Sequence, residues 1–338
     1  MIREWRSVTA HVLTGFLGSG KTSLLRRLLA EPELRGTAVL INEFGEVGLD
    51  HLLVEVLDEA IVLLQSGCVC CSIRGDLRDG LERLYARMQS GELPPFERVV
   101  IETTGLADPV PIVAGFSTDP SLRWHFRLGA VVTVVDAVNG MANLDRFTEA
   151  ARQVALADRL VLSKVDVAPA AVPLLAQRLG RLNPTATLHL SAEADAAPPA
   201  LLLGGLHDPA AAPAAPSPAE MGHAHQDSGL VTFCLAADAP LDWAAFGLWL
   251  SLLLHRHGAD ILRVKGLLHV RGVDRPVVIQ GVQHLVHRPL HLDAWPEGRP
   301  TTRLVLIGRG LDRHAIERSF RAFCRLGQRS TEATVSTG

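Results

Sequence analysis

The sequence predicts an α/β protein: a mostly parallel sheet with helices on both faces, followed by a smaller α+β domain. Apolar runs alternate with helical patterns up to about residue 190, as in parallel strands joined by crossover helices. From residue 192 the chain becomes rich in alanine and proline and loses periodicity, which is typical of a linker. Beyond residue 228, strand patterns predominate over two helical ones.

The expected strands of the first domain are at 8–14, 37–41, 60–64, 97–101, 130–135, 159–162 and 186–190, and its expected helices at 21–30, 76–90, 141–157 and 170–182. In the second domain we expect strands at 229–235, 261–270, 275–281, 284–292 and 302–307, and helices at 241–255 and 312–325. Asp312 is the expected N-cap of the last helix. The predicted divisions are 1–191, a linker at 192–228, a C-terminal domain at 229–327 and a flexible tail at 328–338.

Composition excludes several classes of protein. The formal net charge is −3 with mixed signs, which argues against a dedicated nucleic-acid binder. The longest apolar stretch, 243–254, is shorter than the ~18–20 residues of a membrane span. No signal-peptide pattern precedes the first strand. We therefore expect a cytoplasmic protein with no membrane and no nucleic-acid partner, in which clustered cysteines favour metal or redox roles over disulfides.

A phosphate-binding loop follows the first strand. Gly15-x4-Gly20-Lys21-Thr22 matches the pattern G-x-x-x-x-G-K-[ST]. Glycines let the backbone N–H groups point at phosphate oxygens, and the following helix adds its positive end. Lys21 is expected to bridge the β- and γ-phosphates and the Thr22 hydroxyl to ligate Mg²⁺. The expected nucleotide-binding residues here are Gly15, Gly18, Ser19, Gly20, Lys21, Thr22 and Ser23.

Two later segments complete a nucleotide site. Glu102 ends an apolar strand, where its carboxylate can act near Mg²⁺ or polarise the attacking water. Gly105 can donate its N–H to a γ-phosphate and move when that phosphate leaves. Lys21, Glu102 and Gly105 are therefore the expected catalytic residues. An ordinary acid at a strand end is the alternative for Glu102.

A guanine-binding signature is expected at Ser163, Lys164 and Asp166. A carboxylate at the end of this strand can accept from both guanine N1–H and N2–H₂, and the lysine stem can cover the base. The pattern is similar to N-K-x-D with Ser163 in place of asparagine, and we expect this change to weaken the base contact and the support of the loop. A solvated turn is the alternative.

Three thiols lie within four residues, at Cys68, Cys70 and Cys71, in a chain with five cysteines. Thiolates bind soft ions such as Zn²⁺ and Cu⁺. They converge only if the segment turns, because adjacent side chains on a strand point to opposite faces. A tetrahedral site needs a fourth ligand or a water. A buried thiol cluster or a redox pair is the alternative, and the isolated Cys234 and Cys324 are expected to be core residues.

Taken together, the motifs at 15–22, 42–46, 67–71, 102–109 and 163–166 resemble the CobW-type family of P-loop GTPases. Segments 263–266, 280–282 and 306–309, with Trp295, resemble that family's C-terminal domain. The resemblance implies a P-loop fold and a slow GTPase with GTP, Mg²⁺ and Zn²⁺ (or Co²⁺) as cofactors. It also favours Glu43, in the segment expected to be a switch loop, as the fourth ligand beside Cys68, Cys70 and Cys71.

The function expected from this resemblance is that of a metallochaperone that delivers Zn²⁺ or Co²⁺ to a client metalloprotein, to metal-insertion machinery or to cobalamin synthesis. GTP would order the loop with Glu43 and the segment from Glu102 to Gly105, and hydrolysis would favour metal release. A nucleotide-gated module that binds a client and holds a structural metal is one alternative. An ATP-dependent small-molecule kinase is another, and a homodimer is left open.

Overall fold

The computed structural model describes residues 7–42, 73–192, 197–204, 225–296 and 299–335. The expected strand at 60–64 and the candidate metal ligands Glu43, Cys68, Cys70 and Cys71 lie outside these residues. The chain divides into two compact units, one of Met1–Ala176 with Leu188–Leu206 and the other of Gln177–Thr187 with His207–Gly338. The division falls inside the helix Val172–Leu182, so the residues of this helix from Gln177 onwards group with the second unit.

The first unit alternates strands and helices along the chain. Its strands are β1 Val8–Gly15, β2 Thr37–Asn42, β3 Arg98–Thr103, β4 Phe126–Asp136, β5 Arg159–Ser163 and β6 Thr187–Ser191. Its helices are α1 Lys21–Leu29, α2 Ile73–Gln89, α3 Val110–Thr118, α4 Pro120–His125, α5 Gly140–Arg146, α6 Thr148–Leu156, α7 Val172–Leu182 and α8 Ala200–Leu203. Short 3₁₀ turns occupy Pro32–Leu34 and Pro169–Ala171.

The six strands described in this unit form one sheet in the order β2-β3-β1-β4-β5-β6. β1 pairs in parallel with both β3 and β4, and β2 with β3 and β4 with β5 are parallel as well. The strand order reverses beside β1, and ligands of open α/β sheets bind outside the carboxyl ends of the strands at such a point. The sheet therefore places the end of β1 and the ends of its neighbours at one site.

The central strands are buried along most of their length because helices cover both faces. β5 is buried at every position, and β3 at every position after its first residue. The first four residues of β6 instead alternate between half-buried and exposed positions, with Leu188 and Leu190 exposed, as expected of an edge strand. The predicted fold class is confirmed for this unit.

Two parts of this unit differ from the sequence prediction. The single helix expected at 141–157 is two helices, because Phe147 is extended (φ −124°, ψ 116°) and its ring stacks on Phe16 with centroids 4.6 Å apart. Part of the expected linker is core: Ala197, Leu201 and Leu202 are buried in the same apolar cluster as the centre of the sheet. Alanine and proline content alone gave no sign of this burial.

The second unit is an antiparallel sheet with two long helices. Its strands are β7 His225–Asp227, β8 Leu230–Ala237, β9 Ile261–Leu268, β10 Val277–Val282, β11 Leu285–Val286, β12 Leu290–His291 and β13 Thr302–Gly308. Its helices are α9 Trp243–His257 and α10 Arg313–Val335. The strand order is β11-β10-β9-β13-β8-β7, with β12 paired to β10.

The core of the second unit lies between the sheet and its helices. Trp249 of α9 packs edge-on against Phe320 of α10, with ring centroids 4.9 Å apart, and both belong to one buried cluster with Phe233 of β8. Asp312 caps α10 as predicted, since its carboxylate accepts the N–H of Ala315 at 3.0 Å. α10 continues to Val335, through part of the segment expected to be a flexible tail. No described helix combines length with the apolarity that crossing a bilayer requires.

Candidate nucleotide-binding site

The phosphate loop joins β1 to α1 and wraps around a lysine ammonium. Gly18 (φ 68°) and Gly20 (φ 93°) adopt left-handed backbone conformations, which only glycine reaches readily. Lys21 is buried, and its Nζ donates to the carbonyl oxygens of Gly15 at 3.0 Å and Phe16 at 3.2 Å. The lysine charge and the start of α1 therefore lie inside one loop, which is a favourable place for an anion.

The hydroxyl residues of the loop occupy different positions. Ser19 is buried, and its N–H donates to the carbonyl of Phe16 at 3.2 Å. Thr22 lies in the first turn of α1 and is half-buried, whereas the neighbouring Ser23 is exposed. Of the two residues that follow Lys21, Thr22 is thus the one directed towards the sheet.

Thr22 contacts the acid at the end of β3. Its hydroxyl donates to Oε1 of Glu102 at 2.6 Å, and Glu102 is only 5% exposed. The parallel register pairs Glu102 with Leu13 of β1 and with Ile41 of β2, so the sheet fixes the carboxylate beside the loop. A hydroxyl and a carboxylate are the oxygen donors that Mg²⁺ prefers. The residues present therefore fit a magnesium ion held by Thr22 and Glu102.

Gly105 packs directly on the phosphate loop. A Cβ added at this position would lie 2.6 Å from the backbone nitrogen of Leu17 and 2.7 Å from its Cα. Real Cβ atoms do not approach backbone this closely, so only glycine fits here. The predicted catalytic residue Gly105 thus lies within van der Waals reach of the loop that carries Lys21.

Residues that the sequence analysis missed hold the segment around Gly105. Nε2 of Gln153 on α6 donates to the carbonyls of Gly105 and Ala107, both at 3.1 Å. Arg152 forms an ion pair with Asp108 at 2.7 Å. One signal in the sequence could have indicated Gln153. It is a glutamine close to alanine and valine residues of α6, and those apolar residues would be expected to face the core.

The expected base-binding residues follow β5. Oγ of Ser163 donates to the carbonyl of Ser19 at 2.7 Å, and Nζ of Lys164 donates to the carbonyl of Gly18 at 2.8 Å. Lys164 has φ 55°, a conformation that is uncommon outside glycine. Asp166 is exposed two residues further on. The serine thus supports the phosphate loop, a role that the change from asparagine was expected to weaken.

Asp136, at the end of β4, anchors Lys164 and was also missed. Its Oδ2 accepts from Lys164 Nζ at 3.1 Å, and its Oδ1 accepts the N–H groups of Val138 and Asn139 at 2.7 and 2.9 Å. Burial acts to raise the pKa of Asp136, but the hydrogen bonds from Asn139 and the Lys164 ammonium outweigh it and lower the pKa. An ionised carboxylate therefore fixes Lys164 over the loop.

The described ranges contain no second cluster of candidate metal ligands. No group of three or more histidine, cysteine or acidic side chains there could hold a metal ion. Burial raises the pKa of the Cys234 thiol to about 11 and also raises that of Cys324, so thiolates are disfavoured at both. Cys324 packs against the core of the second unit, which agrees with its expected role.

Comparison with known proteins decides the family. Residues 9–189 match the family described as "CobW/HypB/UreG, nucleotide-binding domain", and residues 230–324 match "Cobalamin synthesis protein cobW C-terminal domain". The chain belongs to the CobW family. The predicted family, the P-loop fold and the GTPase activity are thereby confirmed, and GTP with Mg²⁺ is the cofactor pair of this family's nucleotide-binding domain.

The chain is similar to family members over nearly its whole length. It is 34% identical over 322 residues to the zinc chaperone YjiA of Escherichia coli, covering 93% of this chain and 98% of YjiA. The crystal structure of the Zn(II)-bound YjiA GTPase aligns with a TM-score of 0.69 at 27% identity, covering 94% and 99% of the two chains. The zinc-regulated GTPase metalloprotein activator 1 of Schizosaccharomyces pombe is 37% identical over 52% of this chain and 44% of its own length.

Proposed function

We propose that this CobW-family GTPase is a zinc chaperone that binds Zn²⁺ through Cys68, Cys70 and Cys71, with Glu43 as the fourth ligand, and delivers it to a client metalloprotein. The thiol cluster carries the proposal, because it lies in a chain that is similar from end to end to a zinc chaperone. Three thiolates and a carboxylate are a ligand set suited to zinc. A relative named as a metalloprotein activator supports delivery to a client.

The place where the thiol-bearing segment joins the sheet supports control by the nucleotide. β2 ends at Asn42, which pairs with Thr103, the residue directly after Glu102. The segment that holds Glu43 and the cysteines therefore starts at the same sheet edge as the nucleotide site. A change in nucleotide at that edge can bias both segments, as in GTPases whose switch loops depend on the γ-phosphate.

The contacts of Lys21, Thr22, Glu102, Gly105 and Lys164 support the roles that we propose for the nucleotide site. Lys21 binds the β- and γ-phosphates, while Thr22 and Glu102 hold Mg²⁺, which when bound neutralises charge on the phosphates. Gly105 presents its N–H to the γ-phosphate. Asp166 accepts from the guanine base, and Lys164, held by Asp136, covers the base.

The test is zinc binding by the full chain after metal removal, measured by competition with a chromophoric chelator. We expect the wild-type protein to bind Zn²⁺ and a Cys68→Ser, Cys70→Ser, Cys71→Ser variant to lose that binding. The matched control is a Cys234→Ser, Cys324→Ser variant, which removes two thiols outside the cluster and should bind as the wild type does. Undiminished zinc binding by the triple variant would contradict the proposal.

Two measurements distinguish a metal that is delivered to a client from a metal with a structural role. They are the thermal unfolding temperature of the triple cysteine variant and the dependence of zinc release on the nucleotide. For a chaperone, the triple cysteine variant should keep its thermal unfolding temperature, and hydrolysis of GTP should speed zinc transfer to the chelator relative to a nonhydrolysable analogue. A triple variant that unfolds, together with zinc release that ignores the nucleotide, would instead indicate the module with a structural metal. Glu43→Gln tests the fourth ligand separately, and we expect it to weaken zinc binding without abolishing it.

A further inference from the structure

Helix α6 holds the segment around Gly105 through a single buried amide. Gln153 is 1% exposed, and both carbonyl groups that it contacts, of Gly105 and Ala107, lie 3.1 Å from Nε2. Both N–H groups of this amide are therefore used. Oε1 has no hydrogen-bond partner in the part of the chain that the structure describes, so the contacts with the segment are what fix the orientation of the amide.

The position of Gln153 is itself fixed on two sides. The Thr133 hydroxyl of β4 donates to the backbone carbonyl of Gln153 at 2.8 Å, and the neighbouring Val154 is buried. At the start of the same helix, Phe147 stacks on Phe16 of the phosphate loop. α6 thus contacts β4, the phosphate loop and the segment that follows Glu102, which makes it a rigid support for that segment.

Gly105 needs such a support. It must lack a side chain because its backbone lies against Leu17, yet a glycine restricts its own φ and ψ less than any other residue does. Hydrogen bonds to its own carbonyl and to that of Ala107 limit the conformations of the peptide groups between them. The Arg152–Asp108 ion pair adds a second restraint, but its side chains are partly exposed and such pairs are weaker.

We propose that Gln153 is a positioning residue for GTP hydrolysis: its amide fixes the segment from Gly105 to Ala107, so that the Gly105 N–H is presented to the γ-phosphate. Gln153 does not touch the nucleotide in this role and acts only through Gly105. The inference rests on the GTPase activity of the family and is independent of which metal the chain carries. A positioning group of this kind should affect the rate of hydrolysis far more than nucleotide affinity.

The first test is Gln153→Met, which keeps the length of the side chain and removes both donated hydrogen bonds. We expect kcat for GTP hydrolysis to fall by about 10²-fold, the loss typical when a reacting group is misplaced by about 1 Å. GDP has no γ-phosphate, so its Kd should change by less than about threefold. The matched control is Gln177→Met, the same change at an exposed glutamine, which should leave kcat unaltered.

The second test is Gln153→Glu, which has a pH signature that altered packing alone would not give. An ionised carboxylate only accepts hydrogen bonds, so it repels the two carbonyl oxygens and kcat should be low at pH 8. The protonated acid offers one donor, so the ratio of variant to wild-type kcat should rise as pH falls. This variant also tests the proposal if the Gln153→Met protein does not fold.

Three outcomes would overturn the proposal. One is a folded Gln153→Met protein with wild-type kcat. Another is an equal loss of GTP and GDP affinity with unchanged kcat, which indicates a structural role in binding. The third is a Gln153→Glu protein whose ratio of kcat to that of the wild type does not vary with pH.

Discussion

Ser163 shows how a short side chain can take over part of the role of a longer one. Its hydroxyl is bonded to the Ser19 carbonyl of the phosphate loop, so the serine supports that loop. Lys164 reinforces the same loop at Gly18 and is held by the ionised Asp136. The serine side chain is too short to contact the base as the amide of an asparagine would. Asp166 is therefore the residue expected to select guanine.

Asp166→Asn should therefore change base preference. The carboxylate accepts from guanine N1–H and N2–H₂, and hydrogen bonds to a charged group are worth about 1.5–3 kcal/mol, so Kd for GDP should rise by roughly 10–100-fold. The asparagine NH₂ can instead donate to the 2-oxygen of xanthine, so affinity for xanthosine diphosphate should increase. Competition against a fluorescent nucleotide measures both, with Asp238→Asn, at an exposed position, as the control. Unchanged GDP binding would remove Asp166 from the site.

His11 predicts a dependence of stability on pH. Burial, followed by the charges of Arg159, Arg98 and Arg127, lowers the pKa of His11 from 6.5 to about 4, with Asp158 opposing. The ring is neutral in the folded protein, where Nδ1 accepts the Ala130 N–H at 3.1 Å. A lowered pKa in the folded state stabilises the protein above pH 6.5, and this stabilisation is lost as pH falls towards 4.

The loss should reach about 3 kcal/mol of the free energy of unfolding by pH 4. Urea unfolding at several pH values between 4 and 7 measures it. His11→Gln has no ionisable group at this position, so its free energy of unfolding should vary less over the same range. Parallel pH profiles of the two proteins would show that His11 is not the group responsible.

At the level of elements, α8 is the helix that lies within the linker predicted from composition. Leu201 and Leu202 are buried in the core of the first unit, and the guanidinium of Arg159 donates to the Leu201 carbonyl at 2.6 Å. Four residues of helix are too short to be stable alone, so packing and this hydrogen bond hold the segment. The alanine and proline around it hide a short element that depends on its surroundings.

Leu201→Ala should destabilise the first unit by about 2–5 kcal/mol, because it removes a fully buried side chain and leaves a cavity. Leu203 in the same helix is 44% exposed, and Leu203→Ala should change stability by less than about 0.5 kcal/mol. Urea unfolding followed by circular dichroism compares the two. Equal effects of both substitutions would mean that α8 does not pack as described.

The two-helix arrangement at 140–156 has a tertiary cause as well. The helical pattern continues through Phe147, yet the chain is extended there and the ring stacks on Phe16. Separating α5 from α6 lets α6 place Gln153 under Gly105. The pattern of apolar residues predicted helix correctly, but a contact with a loop more than a hundred residues earlier decided where the helix breaks.

For the whole molecule, the sheet order explains how distant motifs form one site. β1, β2, β3, β4 and β5 are parallel, so residues that follow them lie at one edge. The thiol-bearing segment also starts at this edge, after Asn42. If that arrangement couples the two ligands as proposed, metal and nucleotide must affect each other's binding by the same factor.

We expect a nonhydrolysable GTP analogue to tighten zinc binding relative to GDP by a factor on the order of 10, within the usual range for coupled sites. Zinc should tighten binding of the same analogue by that factor. Chelator competition measures the first quantity and fluorescent-nucleotide competition the second, with the triple cysteine variant as the control in which coupling vanishes. Equal zinc affinities in both nucleotide states would contradict nucleotide control.

The sequence by itself determined the fold class, the phosphate loop and most strands and helices of both units. These depend on local periodicity and on motifs whose spacing has a chemical reason, such as Gly15 to Thr22. It also indicated Glu102, Gly105 and Asp166, because each lies at the end of an apolar strand or within three residues of it. The roles of the thiols and of Glu43 stay predictions, since these residues lie outside the described part of the chain.

Only the tertiary structure decided which residues support that chemistry. Gln153, Asp136 and Arg152 carry no motif, and each acts on a segment distant in sequence that the sheet and helices bring within hydrogen-bond reach. The burial of Leu201 and the break at Phe147 were decided in the same way. A side chain's contribution here depends on its neighbours in space, and these become known only when the strands take their order around β1.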